Sequence, residues 1–201
     1  MLRGMEQSPN SPIPPIRSPE LMSSADTGLL VVDVQEKLIR LVPGHERIIW
    51  NIRRLIDGAK LFEMPVLATE QYPKGLGGTV AELASRLDSI ASKTAFSSVG
   101  CREIAGQLER SPRPKWLIAG IEAHVCIQQT VLDLLGNGWR VYVAVDAIGS
   151  RFDIDRDTAI ARMDSAGATL TTTEGALFEW CEDSSSPQFK QLSAMIKEPP
   201  P

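Results

Sequence analysis

The chain has 201 residues, 43% hydrophobic and 23% charged, which is the balance of an ordinary globular protein and too apolar for wholesale disorder. That length fits one domain with a sizeable core. A net charge of −4 without any basic run argues against nucleic acid as the main partner, and the longest apolar run, Gly28 to Val32, falls far short of the roughly 20 residues that span a bilayer.

Residues 1–27 hold five prolines, Pro9, Pro12, Pro14, Pro15 and Pro19, with serines between them. Fixed φ angles and missing donors disfavour helix and sheet there, so an extended Pro/Ser-rich arm is expected, either free or laid across a neighbouring subunit. One domain over 28–198 should follow it. Gly28-Leu-Leu-Val-Val-Asp33 predicts a first strand, and His45 to Phe62 predicts a helix. In that helix Ile48, Ile52, Leu55, Ile56 and Ala59 share one face while Arg47, Arg53, Arg54 and Lys60 lie mostly on the other. Pro65 to Thr69 predicts the second strand. The alternation continues with a helix near 79–87, a strand at Ser89 to Ser92, a helix at Cys101 to Arg110 and a strand at Lys115 to Ile121. Helix His124 to Gly136, strand Arg140 to Val145, helix Asp155 to Ala166 and strand Ala168 to Thr172 come next, and helices 174–181 and 187–196 close the chain. Near-continuous apolar strands separated by helices indicate an α/β fold: a three-layer α/β/α, Rossmann-like sandwich around a six-stranded parallel sheet.

Three cysteines, Cys101, Cys126 and Cys181, are too few and too far apart for a disulfide framework or a paired zinc motif, and they suit a reducing compartment. The N-terminal residues carry neither the apolar stretch of a secretion signal nor an Arg-rich amphipathic stretch, so the expected setting is cytoplasmic.

In open parallel sheets, ligands bind beyond the carboxyl ends of the strands. Asp33 ends the first strand at that edge, where it is either a general acid/base or a plain turn residue. Gly120-Ile-Glu-Ala-His-Val-Cys126 takes a strand through a tight turn into a helix and puts Cys126 in the first helical turn. There free N–H groups and the helix dipole favour thiolate, although a lone cysteine is also a common small core residue. Lys93 follows the third strand, as a solvated surface lysine or as a cation steadying that thiolate.

These residues resemble the isochorismatase-like cysteine hydrolases. Thr69-Glu-Gln-Tyr-Pro-Lys-Gly-Leu76, Lys93-Thr-x-Phe-Ser97, Gly120-Ile-Glu-x-His-x-Cys126 and Asp146-Ala-x-x-Ser-Arg151 are similar to the branch called isochorismatase domain-containing proteins. The resemblance covers nearly all the chain after the arm. It implies a sheet of order 3-2-1-4-5-6 and a catalytic triad of Asp33, Lys93 and Cys126. It also implies a cis peptide from Ile121 to Glu122, which would turn the N–H groups of Glu122 and Cys126 into an oxyanion hole. Amidases of the family acting on nicotinamide hold a metal through Asp, His and His after the second strand. Glu70, Gln71 and Tyr72 stand there instead, and the only histidines are His45 and His124, so neither metal nor other cofactor is expected.

Gln35, Tyr72, Phe96 and His124 are expected to line the substrate pocket, each with a duller reading. Tyr72 and Phe96 are otherwise core aromatics, Gln35 a backbone brace, and His124 a surface residue. The run Arg151 to Asp157 reads as surface and helix capping, and Gly75 to Gly78 as a loop. The expected activity is hydrolysis of a C–N bond in a small molecule through a cysteine thioester, by a homo-oligomer of two or more subunits. The competing readings are a non-catalytic member of the fold and the nuclease activity attached to some relatives.

Overall fold

The strands are β1 Thr27–Val32, β2 Val66–Gln71, β3 Ala91–Lys93, β4 Lys115–Ile121, β5 Arg140–Gly149 and β6 Thr169–Thr171, near-continuously apolar in β1 and β4 and short and polar at the two edges, β3 and β6. The computed structural model describes residues 16–201, and the first part of the Pro-rich arm lies outside the described residues. All neighbouring strands are parallel and their order is β3-β2-β1-β4-β5-β6, as the sequence and the family likeness led one to expect. The helices are α1 Glu36–Ile39, α2 His45–Leu61, α3 Pro73–Leu76, α4 Ala81–Ala84, α5 Arg102–Arg110, α6 Gln128–Gly136, α7 Asp153–Ser165, α8 Thr173–Cys181 and α9 Phe189–Ile196.

Alternate residues of the central strands feed two separate cores. Leu29 and Val31 of β1, with Leu117 and Ala119 of β4, meet Ile52, Leu55 and Ile56 of α2, Leu177 and Trp180 of α8 and Leu192 of α9. Leu30 and Val32, with Trp116 and Ile118, face Ile104 and Leu108 of α5, Val131 and Leu134 of α6 and Met163 of α7. Each fully buried side chain of this kind contributes about 1.5–3 kcal/mol, and covering both faces is why β1 and β4 carry no polar alternation.

Some boundaries depart from the sequence reading. β5 runs on to Gly149 through a register shift between Ile118 and Gly120, so Asp146 lies inside the strand rather than at its end. Its Oδ1 accepts from the Thr173 N–H (2.7 Å) and hydroxyl (3.0 Å), fastening the start of α8. Pro73 opens a short helix where a loop was expected, because a residue without N–H is free to sit in a first turn. The helix expected from His124 begins as a π-turn, Ala123–Ile127.

The described part of the arm lies on its own sheet. Lys115 Nζ donates to the Leu21 carbonyl and pairs with Asp26 Oδ2, both at 2.7 Å, Tyr142 donates to the Glu20 carbonyl, and Met22 is wholly buried. Burial opposes ionisation of Asp26, but bonds from Lys115, Ser23 and Thr27 outweigh it and hold its pKa at about 2. The chain is therefore tied down from Arg17 rather than from residue 28.

At the carboxyl edge, β4 and β1 approach through Gly120, which has φ of 142°. A Cβ there would stand 2.1 Å from the Val32 carbonyl oxygen, a backbone atom that cannot move aside. Gly120→Ala is expected to lower unfolding free energy by about 3 kcal/mol in urea denaturation, and an unchanged midpoint would contradict this packing.

Candidate active site

The site begins where β1 stops. Asp33 has left-handed backbone (φ 54°), its N–H donates to the Thr69 carbonyl at 3.0 Å, and its carboxylate is fully buried. Because β2 alone separates β1 from β3, the last residue of β3 reaches across it. Lys93 Nζ lies 2.7 Å from Asp33 Oδ2 with both side chains sealed from water, and Thr69 donates its hydroxyl to Asp33 Oδ1 at 2.8 Å. A charge pair this deep persists only with its remaining lone pairs and protons satisfied.

Around the ammonium that condition is met in excess. Besides Asp33, Lys93 Nζ meets Gln71 Oε1 and the Phe96 carbonyl at 2.8 Å and the Ala95 carbonyl at 3.1 Å. Gln71 is itself held, its Nε2 donating to the Thr94 carbonyl at 2.8 Å. Gln35 pins the backbone beneath it: Gln35 Oε1 accepts from the Gln71 N–H (2.7 Å), and Gln35 Nε2 donates to the Gln71 (2.9 Å) and Gly77 (2.6 Å) carbonyls.

The third member comes from the turn after β4. Glu122 takes a left-handed conformation (φ 57°, ψ 58°), the π-turn follows, and Cys126 is delivered almost wholly buried. Thr130 Oγ1 donates to the Cys126 carbonyl (2.7 Å) and accepts from the Ser98 N–H (2.8 Å), tying this turn to the segment that follows Lys93. The structure thus brings Asp33, Lys93 and Cys126 together at one rim of the sheet.

The sulfur's protonation state differs from the sequence expectation. Burial first, and the charge of Asp33 second, raise the Cys126 thiol from 9.0 to about 12; Lys93 pulls the other way and is outweighed. The resting group is a thiol facing a carboxylate, not a thiolate held by a helix end.

The family model described as the isochorismatase domain matches residues 27–175. The chain belongs to the isochorismatase family. It is 44% identical over 176 residues to isochorismatase domain-containing protein 2 of Macaca fascicularis, covering 86% of this chain and 84% of that one. Among solved structures it is similar to the MAR1 ribonuclease of Caenorhabditis elegans (38% identity, TM-score 0.85, covering 90% of this chain and 94% of that one). It is also similar to the YcaC gene product of Escherichia coli, described as an octameric hydrolase of unknown specificity (26% identity, TM-score 0.83, covering 90% and 91%).

The cis bond expected from the isochorismatase family likeness is not found: every peptide among the described residues is trans. Left-handed Glu122 reverses the chain instead, at about 1–2 kcal/mol rather than the 3–4 of a cis non-proline link. The Glu122 carboxylate is nine-tenths buried and lies 3.6 Å from Arg151 Nε, so Arg151 belongs to this turn and not merely to a surface run.

The expected pocket residues separate. Gln35 is placed as a brace, its amide engaged in three backbone bonds. Tyr72 and Phe96 are not core aromatics: both rings are about half exposed at the rim, while the Tyr72 N–H donates to the Lys93 carbonyl and the Phe96 carbonyl accepts from Lys93 Nζ. His124 turns away, with Nδ1 3.0 Å from Ser150 Oγ and Nε2 3.8 Å from Asp155. Thr69 and Gln71 lie in one of the family blocks and Ser98 and Thr130 in none, and sequence alone assigns none of them a role, because those roles exist only once β2, β3 and α6 are side by side.

Thr69→Val keeps the side-chain shape and strips one hydrogen bond from a buried carboxylate. The expected loss is about 2 kcal/mol of stability, read from denaturant unfolding, and a change near zero would contradict the bond's role.

Proposed function

We propose that the protein hydrolyses a C–N bond, of amide or carbamoyl type, in a small molecule, with Cys126 as nucleophile, Asp33 as general base and acid, and Lys93 as their fixed cation. The observation that carries this reading is a buried cysteine beside a buried carboxylate whose other side is locked to an ammonium, with burial and that carboxylate both favouring the thiol. A thiol at about 12 costs roughly 7 kcal/mol to ionise into neutral water, so free thiolate is not the attacking species. Its proton moves to Asp33 as the sulfur bonds to the carbonyl carbon. The carbonyl π electrons pass to oxygen, and the N–H groups of Glu122 and Cys126 receive that charge. Collapse of the tetrahedral adduct breaks the C–N bond, and Asp33 returns its proton to the leaving nitrogen. Water then gives a proton to Asp33 and attacks the thioester, and the sulfur leaves and regains a proton from Asp33. Lys93 touches neither sulfur nor substrate in this scheme; it places Asp33 and offsets charge growing beside it.

Tyr72 and Phe96, half exposed beside Lys93, then border the entrance. The description of the Escherichia coli neighbour as octameric supports self-association here too. Three free, buried cysteines suit a reducing, cytoplasmic setting, and no described helix is long and apolar enough to cross a membrane.

A panel of small amides, ureas and carbamoyl compounds, assayed with parent and Cys126→Ala protein, tests the reading. Turnover found in the parent should fall at least about a thousandfold in the variant, with an acyl adduct on Cys126 seen by mass spectrometry. Equal rates would overturn the mechanism, and a parent inert across the panel would favour the non-catalytic reading. RNA cleavage that survives Cys126→Ala would place activity of the kind named for the Caenorhabditis elegans neighbour outside this site.

A further inference from the structure

An ammonium has three protons, yet Lys93 Nζ faces four oxygens within 3.1 Å: Asp33 Oδ2, Gln71 Oε1 and the carbonyls of Ala95 and Phe96. Three of these acceptors are neutral amide oxygens, and only Asp33 changes charge in the proposed reaction. At rest the four compete for three protons, and the carboxylate holds the shortest contact, 2.7 Å. Once Asp33 has taken the thiol proton it becomes a poor acceptor. A buried N–H left without a partner at that moment would cost about 1–3 kcal/mol, more for a charged donor, and would be added to the barrier.

We infer that Gln71 is a positioning residue whose amide oxygen is the reserve acceptor for Lys93, receiving the ammonium proton that Asp33 releases on becoming neutral. This rests on the assignment of Asp33 as the base for Cys126. The geometry is made for it. With Gln71 Oε1 and the two loop carbonyls, the ammonium has three partners without the carboxylate. Gln71 does not drift, because its Nε2 is tied to the Thr94 carbonyl and its backbone to Gln35. The amide's orientation follows from the same contacts, since a flipped amide would aim its NH2 at an ammonium and its oxygen at a carbonyl. Gln71 eases proton transfer without touching sulfur or substrate.

Two substitutions pull in opposite directions. Gln71→Leu leaves only Asp33 and two carbonyls, one acceptor per proton, so Lys93 grips the carboxylate and the base weakens. Gln71→Glu adds a second carboxylate to the ammonium, so Lys93 holds Asp33 less and the base strengthens. The other charges around the sulfur, Glu122 with its partner Arg151, are the same in both variants.

The test is the rate of Cys126 alkylation by iodoacetamide against pH, followed by mass spectrometry, in the parent, Gln71→Leu and Gln71→Glu proteins. In the parent, alkylation assisted by Asp33 gives a plateau with an acidic limb. Gln71→Leu should move that limb down by about one pH unit and lower the plateau several-fold; Gln71→Glu should move it up. Merely structural damage would slow or speed all pH values alike, without opposed displacements. A parent whose rate climbs tenfold per pH unit with no plateau, or whose Cys126 does not react, would remove Asp33 as base and the inference with it. A parent limb that neither variant moves, or that both move the same way, would overturn the inference alone.

Discussion

A carboxylate with no water around it survives only if the fold supplies everything water would have supplied. Asp33 and Lys93 face each other at 2.7 Å with no solvent access to either side chain, and breaking such a pair by removing one partner typically costs about 3–5 kcal/mol. Much of the carboxyl edge can be understood as the apparatus that keeps this pair satisfied. Thr69 holds the second carboxylate oxygen, Gln71 and two loop carbonyls surround the ammonium, and Gln35 braces the strand end that carries Gln71. The sheet order makes the pair possible, because β2 lies between β1 and β3 and presents small Thr69 where the two side chains must meet.

Function then grows from the same constraint. A sulfur placed beside a buried carboxylate keeps its proton, so the structure stores an acid and a base side by side rather than a preformed nucleophile. In the proposed reaction, reactivity is released when a carbonyl carbon arrives to accept the sulfur as the proton leaves. Strained backbone sits at the places this demands: Asp33, Tyr72 and Glu122, after β1, β2 and β4, all have positive φ without being glycine.

The layers and the strands were legible from composition and periodicity, whereas the convergence of Asp33, Lys93 and Cys126 was legible only through the family resemblance, since each residue alone reads equally well as a turn, surface or core residue. Cys126 could be located from its strand–turn–helix context, but not its protonation state, which depends on burial and on a carboxylate 93 positions earlier in the chain. The family block holding Thr69 and Gln71 was visible but not their roles, since a polar residue at a strand end looks alike whether it meets solvent or a buried charge. Gln35 was drawn into the site by proximity in sequence to Asp33, whereas the left-handed turn at Asp33 sends its amide to backbone groups instead. The continuation of β5 past Asp146 was hidden because the register shift beside Gly120 lies in the pairing of two strands, not in either run alone.

The measurement closest to the central claim is the ultraviolet thiolate signal of Cys126 across alkaline pH, isolated by subtracting the Cys126→Ala protein, in the parent and in Asp33→Asn. The parent should show no thiolate as pH passes 9.0, the ordinary cysteine value, and Asp33→Asn should ionise at distinctly lower pH, since Lys93 then acts on the sulfur without the Asp33 charge to offset it. A parent thiolate already present at neutral pH, or a titration that Asp33→Asn leaves in place, would contradict the account.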